Sequence, residues 1–182
     1  MFTPGRITHI DARKPLTPAD VAAIEKSMDD HAVTVLPNQD IDDAQQLAFT
    51  RSLGDIEHAI GTSLRAANET RLPTTFADVS NLDKNDKPYA RDDRRRLFAI
   101  GNRLWHSDSS FKVTPAKYSL LHAVRIPSKG GNTQFADMRA AYDALPEAMR
   151  RRLDGLVAEH SLMTSRARLG FSDFDETERK AF

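Results

Sequence analysis

The 182-residue chain is long enough to enclose a hydrophobic core, and we predict a single domain over residues 1–182. Its 26 basic and 26 acidic side chains cancel, so no overall field attracts nucleic acid or an anionic membrane, and a small-molecule partner is favoured. The sequence has no cysteine, which leaves histidine, aspartate and glutamate as its strong metal ligands. It shows neither an apolar run long enough to span a membrane nor a signal-peptide pattern, and we expect a cytoplasmic protein.

The amino-terminal part alternates short strands with amphipathic helices. Thr17 followed by Pro18 predicts a helix start, because Thr caps helices well and Pro is tolerated in the first turn. Asp40 is the expected cap of a second helix and Gly54 its expected stop. The predicted elements are a strand over residues 6–10, a helix over residues 18–30, a strand over residues 32–36 and a helix over residues 41–53.

The middle of the chain carries most of the remaining strand signals. Turns are expected over residues 81–88 and at the double glycine 130–131, and the three arginines at 94–96 are expected to form a solvated loop. Helical spacing returns from residue 138, predicting helices over residues 138–145 and 146–157. The predicted strands cover residues 75–80, 97–100, 103–108, 118–126 and 133–136.

A His-x-Asp pair at His106 and Asp108 is the first candidate for chemistry. On a strand, side chains alternate with a period of two, so the imidazole and the carboxylate would share one face. Together they supply two of the three ligands of the two-His, one-carboxylate triad that holds Fe(II) and leaves positions open for cosubstrate and oxygen. A bare His-x-Asp pair also arises by chance, and by itself it is weak evidence.

Two longer motifs surround this pair. The chain reads GNRLWHSDSSF at residues 101–111 and GGNTQFADM at residues 130–138. These motifs resemble those of the taurine and 2,4-dichlorophenoxyacetate dioxygenase family, whose enzymes depend on Fe(II) and 2-oxoglutarate. AAYDAL at residues 140–145 and EHSLM at residues 159–163 are more similar to the dichlorophenoxyacetate branch. The resemblance covers nearly the whole chain and implies an α+β fold, a double-stranded β-helix (jelly roll) with flanking helices.

The resemblance also implies roles for individual residues. His106 and Asp108 correspond to two of the iron ligands, while Thr133 and Asn102 correspond to residues that contact 2-oxoglutarate. Three further residues correspond to the substrate pocket, and these are Ser109, Phe111 and His58. Read simply as residues, Thr133 is equally an ordinary strand threonine, Asn102 a turn residue and Phe111 a core aromatic. His122 and His160 are expected to be structural.

The implied reaction uses Fe(II), 2-oxoglutarate and O2, with ascorbate as a supporting reductant. It hydroxylates the carbon beside the ether oxygen of an anionic aryloxyacetate, giving a phenol and glyoxylate together with succinate and CO2. The relatives indicate a homo-oligomer. Oxidation of taurine or another small sulfonate or carboxylate is an alternative, and a non-catalytic cupin-like module is another.

The family places its second iron histidine, and an arginine for 2-oxoglutarate about ten residues later, in its carboxy-terminal part. The present sequence ends before that region. We therefore expect an amino-terminal fragment of a dioxygenase, with a jelly roll incomplete at the carboxy terminus and no activity by itself.

Overall fold

The structure is a computed structural model that describes residues 3–57 and 71–181. It contains two compact units, Met1–Asp55 with Leu120–Leu156 and Ile56–Ser119 with Val157–Phe182. Within the described residues the strands are β1 (Gly5–Arg6) and β2 (Thr34–Val35), and the helices are α1 (Pro18–His31), α2 (Asp43–Arg51), α3 (Arg94–Ala99), α4 (Met138–Asp143), α5 (Glu147–Leu153), α6 (Leu162–Ala167) and α7 (Glu176–Ala181). A 3₁₀ helix, Ile100–Arg103, continues directly from α3.

The first unit opens with a β-α-β arrangement. β1 and β2 pair in parallel, with Gly5 opposite Thr34 and Arg6 opposite Val35, and α1 connects them. The strands expected over residues 6–10 and 32–36 are therefore present only as these two-residue pairs. Ladder hydrogen bonds extend slightly beyond them, because the Ile7 N–H donates to the Val35 carbonyl at 3.0 Å.

The ends of α1 match the predicted signals. The Asp20 N–H donates to Thr17 Oγ1 at 3.2 Å, and the Thr17 N–H donates to Asp20 Oδ2 at 2.9 Å, which completes a capping box ahead of Pro18. At the other end Ala32 adopts a left-handed conformation (φ 59°), and its N–H donates to the Met28 carbonyl at 2.8 Å. The helix predicted over residues 18–30 is confirmed within one residue.

The cap predicted for α2 was wrong by two residues. Asp42, not Asp40, accepts a hydrogen bond from the Gln45 N–H at 2.8 Å, and Gln45 Oε1 accepts one from the Asp42 N–H at 2.9 Å. This second capping box pairs Asp42 with Gln45, three residues onward, and α2 begins at Asp43.

The first unit has a small apolar core around α1. Its buried residues are Ile7, Ile10, Ala12, Ile24 and Phe49. Gln39 links its own segment to residues 10–12 beside this core. Its Oε1 accepts a hydrogen bond from the Ala12 N–H at 2.8 Å, and its Nε2 donates to the Ile10 carbonyl at 3.0 Å. Each fully buried Ile or Phe side chain contributes about 1.5–3 kcal/mol, so these few residues are the main stabilising contacts of the unit.

Helices α4 and α5 confirm the helices predicted over residues 138–145 and 146–157, although both are shorter. Asp137 caps α4, accepting from the Arg139 N–H at 2.9 Å. Arg139 also donates through Nη1 to the Asp29 carbonyl at 2.6 Å, which ties the first residues of α4 to the last turn of α1.

In the second unit, α3 corrects the prediction of a solvated loop at residues 94–96. Asp93 caps the helix by accepting from the Arg95 N–H at 2.8 Å, and Arg94 donates through Nη1 to Glu178 Oε1 at 2.9 Å. The rings of Phe98 and Phe171 meet edge to face at 5.6 Å. The predicted strand over residues 97–100 is therefore helical, and Phe98 lies on the face that contacts Phe171.

The other predicted strands, over residues 75–80, 103–108, 118–126 and 133–136, are also not observed as strands. The described residues form the two-stranded sheet β1–β2 and an isolated bridge, Leu82 to Pro88, which confirms the predicted turn over residues 81–88. They do not show the expected jelly roll. Strand-forming side chains make a strand only where a neighbouring chain segment supplies hydrogen bonds, and Leu121, Val124 and Ile126 remain exposed. Among the described residues, no helix is long and apolar enough to cross a membrane.

Candidate metal centre

His106 and Asp108 lie close together in the second unit, although not on a strand. The chain leaves the 3₁₀ helix at Leu104, runs without regular structure through His106 and turns at Asp108. His106 Nε2 and Asp108 Oδ1 are nevertheless 3.2 Å apart. The predicted convergence is observed, and the predicted alternation of a strand is not what produces it.

The backbone fixes which imidazole nitrogen is available. His106 Nδ1 lies 2.6 Å from the Leu104 carbonyl oxygen, and because a carbonyl can only accept, Nδ1 must carry the proton in that contact. In the neutral ring the lone pair then resides on Nε2, the nitrogen that faces Asp108. Protein metal sites commonly orient histidine in this way, with the second nitrogen held by a backbone carbonyl.

The distance between the two donor atoms fits adjacent ligands of one octahedral ion. Two ligands at about 2.1 Å from a metal and at right angles are about 3.0 Å apart, close to the observed 3.2 Å. The side chains of His106 and Asp108 are 48% and 58% exposed, so further ligands have access. No third His, Asp or Glu joins them within the described part of the chain.

Ser119 is a contact that the sequence gave no reason to expect. Its Oγ donates to Asp108 Oδ2 at 2.7 Å, leaving Oδ1 directed toward His106. The two residues are eleven positions apart, and no motif links them.

Ser109, predicted to line the substrate pocket, takes part in an ionic cluster with Glu57 and Lys112. It adopts a left-handed backbone conformation (φ 57°) and donates through Oγ to Glu57 Oε1 at 2.7 Å. Lys112 Nζ contacts the same oxygen at 2.8 Å. Burial raises the pKa of Glu57, but the hydrogen bonds from Lys112 and Ser109 outweigh it, so that this pKa lies below its ordinary value. Phe111 is half-buried, and His58 lies outside the described residues.

Asn102 lies in the 3₁₀ helix, four residues before His106. Its Oδ1 is 3.5 Å from Arg166 Nη2, and the Arg166 guanidinium stacks 4.8 Å from the centre of the Phe98 ring. A side chain on Gly101 would collide with this guanidinium. Burial lowers the pKa of Arg166, and its Nε has no hydrogen-bond partner among the described residues.

Thr133 belongs to the first unit. It is exposed and follows Gly130 and Gly131, which both have φ near +74°. Residues with a Cβ rarely adopt this left-handed conformation, so both positions use the freedom that glycine has.

Known proteins place these features in a family. The chain matches, over residues 2–182, the family described as taurine catabolism dioxygenase TauD, TfdA family. It is 41% identical to an alpha-ketoglutarate-dependent 2,4-dichlorophenoxyacetate dioxygenase of Cupriavidus pinatubonensis, covering all of this chain and 62% of that protein. It is 35% identical to an (S)-phenoxypropionate/alpha-ketoglutarate-dioxygenase of Delftia acidovorans, covering 85% of this chain and 50% of that one.

A solved structure agrees with these sequence relatives. The chain superposes on the crystal structure of AAD-2 in complex with Mn(II) and N-oxalylglycine with a TM-score of 0.92 and 47% identity, over all of this chain and 64% of that one. The chain belongs to the TauD/TfdA dioxygenase family. It spans about 60% of the length of the curated 2,4-dichlorophenoxyacetate dioxygenase that it matches.

Proposed function

We propose that the protein containing this chain is an Fe(II)- and 2-oxoglutarate-dependent dioxygenase that oxidises an aryloxyalkanoate such as 2,4-dichlorophenoxyacetate. The observation that carries the proposal is the 3.2 Å approach of His106 Nε2 to Asp108 Oδ1, with Nδ1 held by the Leu104 carbonyl. The names of both curated relatives, which pair a phenoxyalkanoate substrate with alpha-ketoglutarate, support the substrate class.

We also propose that the complete protein has the jelly-roll fold expected from the sequence. The support is the 47% identity and TM-score of 0.92 to AAD-2, together with the apolar, strand-forming residues that remain exposed between positions 121 and 135. Pairing of these residues with further strands would cover them.

In this proposal each candidate residue has a defined task. His106 and Asp108 bind the metal, and their exposed outer sides leave positions for the cosubstrate. Thr133 and Asn102 bind 2-oxoglutarate by hydrogen bonds, and Phe111 offers an aromatic face to the substrate ring. Ser109, whose hydroxyl donates to Glu57, and His58 line the substrate pocket with Phe111.

Bound Fe(II) and 2-oxoglutarate supply the oxidation of a substrate C–H bond by O2, with release of succinate and CO2. The residues of this chain hold the metal, orient the substrate and exclude water. Hydroxylation of the carbon beside the ether oxygen gives a hemiacetal. That hemiacetal loses the phenol as its C–O bond breaks and its hydroxyl proton is transferred, and an aryloxyacetate therefore yields glyoxylate.

The test is an assay of the protein from the complete reading frame with Fe(II), ascorbate, 2-oxoglutarate and O2. With 2,4-dichlorophenoxyacetate we expect equal amounts of phenol and succinate, and Asp108→Asn should abolish both products. Succinate formed with taurine but not with the aryloxyacetate would show that the protein oxidises a sulfonate. Substrate-independent background in every case would support a non-catalytic cupin-like module.

A further inference from the structure

The two carboxylate oxygens of Asp108 have different surroundings. Oδ1 lies 3.2 Å from His106 Nε2, whereas Oδ2 accepts a 2.7 Å hydrogen bond from Ser119 Oγ. The terminal torsion of an aspartate is broad and nearly two-fold, and the Asp108 side chain is 58% exposed. A fixed donor on one oxygen therefore determines which oxygen remains directed toward the imidazole.

We propose that Ser119 is a positioning residue for the metal centre, holding Asp108 so that Oδ1 is presented as a ligand. This inference rests on the proposed function. It also completes a pattern, because the Leu104 carbonyl orients His106 and the Ser119 hydroxyl orients Asp108. Each of the two ligands then has one outer hydrogen bond, the arrangement that tunes ligand orientation in protein metal sites.

The contact is not a local turn motif. Serine and aspartate side chains commonly bond to backbone groups within about four residues, whereas Ser119 is eleven residues from Asp108 and bonds to its side chain. The chain between them turns immediately after Asp108, where the Lys112 N–H donates to the Ser109 carbonyl at 2.9 Å. Glu57 contacts both Ser109 and Lys112. These contacts restrain the start of the segment that leads from Asp108 back to Ser119.

The energetic effect should appear in metal affinity rather than in folding. This hydrogen bond is exposed, so water can replace the hydroxyl and its loss should change the folding stability little. Loss of an outer partner of a metal ligand, in contrast, typically weakens metal binding by about 10–100-fold.

The experiment compares two substitutions of nearly equal shape, Ser119→Thr and Ser119→Val, in the protein from the complete reading frame. Thr retains the hydroxyl and Val does not. Mn(II) is the probe, and the free ion is counted by its electron paramagnetic resonance signal during titration of the metal-free protein. Ser52→Ala is the matched control, since it removes one serine hydrogen bond, to the Ala48 carbonyl at 3.1 Å, in the first unit.

We expect Ser119→Val to raise the Mn(II) dissociation constant by about 10–100-fold, Ser119→Thr to stay within about threefold of the unsubstituted protein, and Ser52→Ala to have no effect. Circular dichroism should show equal folding of the Thr and Val variants. Equal dissociation constants for these two variants, with tight binding by the unsubstituted protein, would overturn the role of Ser119 and leave the proposed function intact. No Mn(II) binding by the unsubstituted protein would overturn both.

Discussion

The capping box of α1 makes a quantitative prediction for the substitution Thr17→Ala. The hydroxyl of Thr17 accepts from the Asp20 N–H at 3.2 Å and donates to Asp20 Oδ2 at 2.7 Å, so its loss leaves a helix N–H without an acceptor. Removal of such a cap costs about 1 kcal/mol, within a range of about 0.5–2 kcal/mol. Because α1 carries Ile24 into the core, the loss should lower the stability of the whole first unit.

Chemical denaturation followed by far-ultraviolet circular dichroism measures this loss, with Thr17→Ser as the variant that restores the cap. Thr50→Ala is the control, since the Thr50 hydroxyl donates to the Gln46 carbonyl at 2.8 Å within α2 and caps nothing.

The capping box also makes stability depend on pH. Hydrogen bonds from the Thr17 side chain and backbone hold the pKa of Asp20 below its ordinary value of 3.8. The ionised carboxylate therefore stabilises the fold above pH 3.8, and this contribution disappears as the pH falls through the lowered pKa. The stability gap between the Thr17→Ala variant and the unsubstituted protein should then narrow in strong acid. Equal losses in Thr17→Ala and Thr50→Ala would refute the capping argument.

Three further outcomes follow from the contacts of the two units. Glu178→Gln should destabilise the second unit by at most about 1 kcal/mol. The hydrogen bond from Arg94 lowers the pKa of Glu178. The stability that ionised Glu178 contributes above its ordinary pKa of 4.5 should therefore be lost as the pH falls through the lowered pKa. Urea denaturation at a series of pH values should show that the Glu178→Gln variant lacks this part of the pH dependence. Glu57→Gln should raise the KM for substrate more than it lowers kcat, because it releases Ser109 and Lys112 without touching the metal ligands; an unchanged KM would contradict this. The 182-residue chain by itself should enhance the fluorescence of an apolar dye, since Ile126 is 80% exposed, and Ile126→Lys should reduce that signal; an unchanged signal in this variant would contradict the prediction.

The helices of the first unit could be predicted because their signals are local. Thr17 with Pro18 sets the start of α1, and the apolar spacing that includes Ile24 sets its buried face. The same reasoning misplaced the α2 cap at Asp40, because Asp40 and Asp42 both precede that helix and each has a possible capping-box partner three residues onward.

The strands were harder to predict because a strand depends on a partner that can lie far along the chain. Residues 118–126 have a strong strand-forming composition, yet within the described residues no neighbouring segment pairs with them. Residues 94–100 form a helix instead of the predicted loop and strand, because Asp93 caps the helix and Phe98 packs against Phe171.

The proximity of His106 and Asp108 could be predicted from their motif, whereas their orientation could not. The spacing of His106 and Asp108 is visible in the sequence, but the Leu104 carbonyl that selects the imidazole nitrogen is a backbone group present at every position. Ser119 is likewise one serine among many until the chain path places it on Asp108.

The central claim is that His106 and Asp108 bind the metal of this protein, and equilibrium dialysis against Mn(II) tests it most directly. The protein from the complete reading frame should bind one Mn(II) per chain, and His106→Ala should lose it. His160→Ala, which removes another exposed histidine of the second unit, should retain it. Equal Mn(II) binding by the His106→Ala and His160→Ala variants would contradict the account.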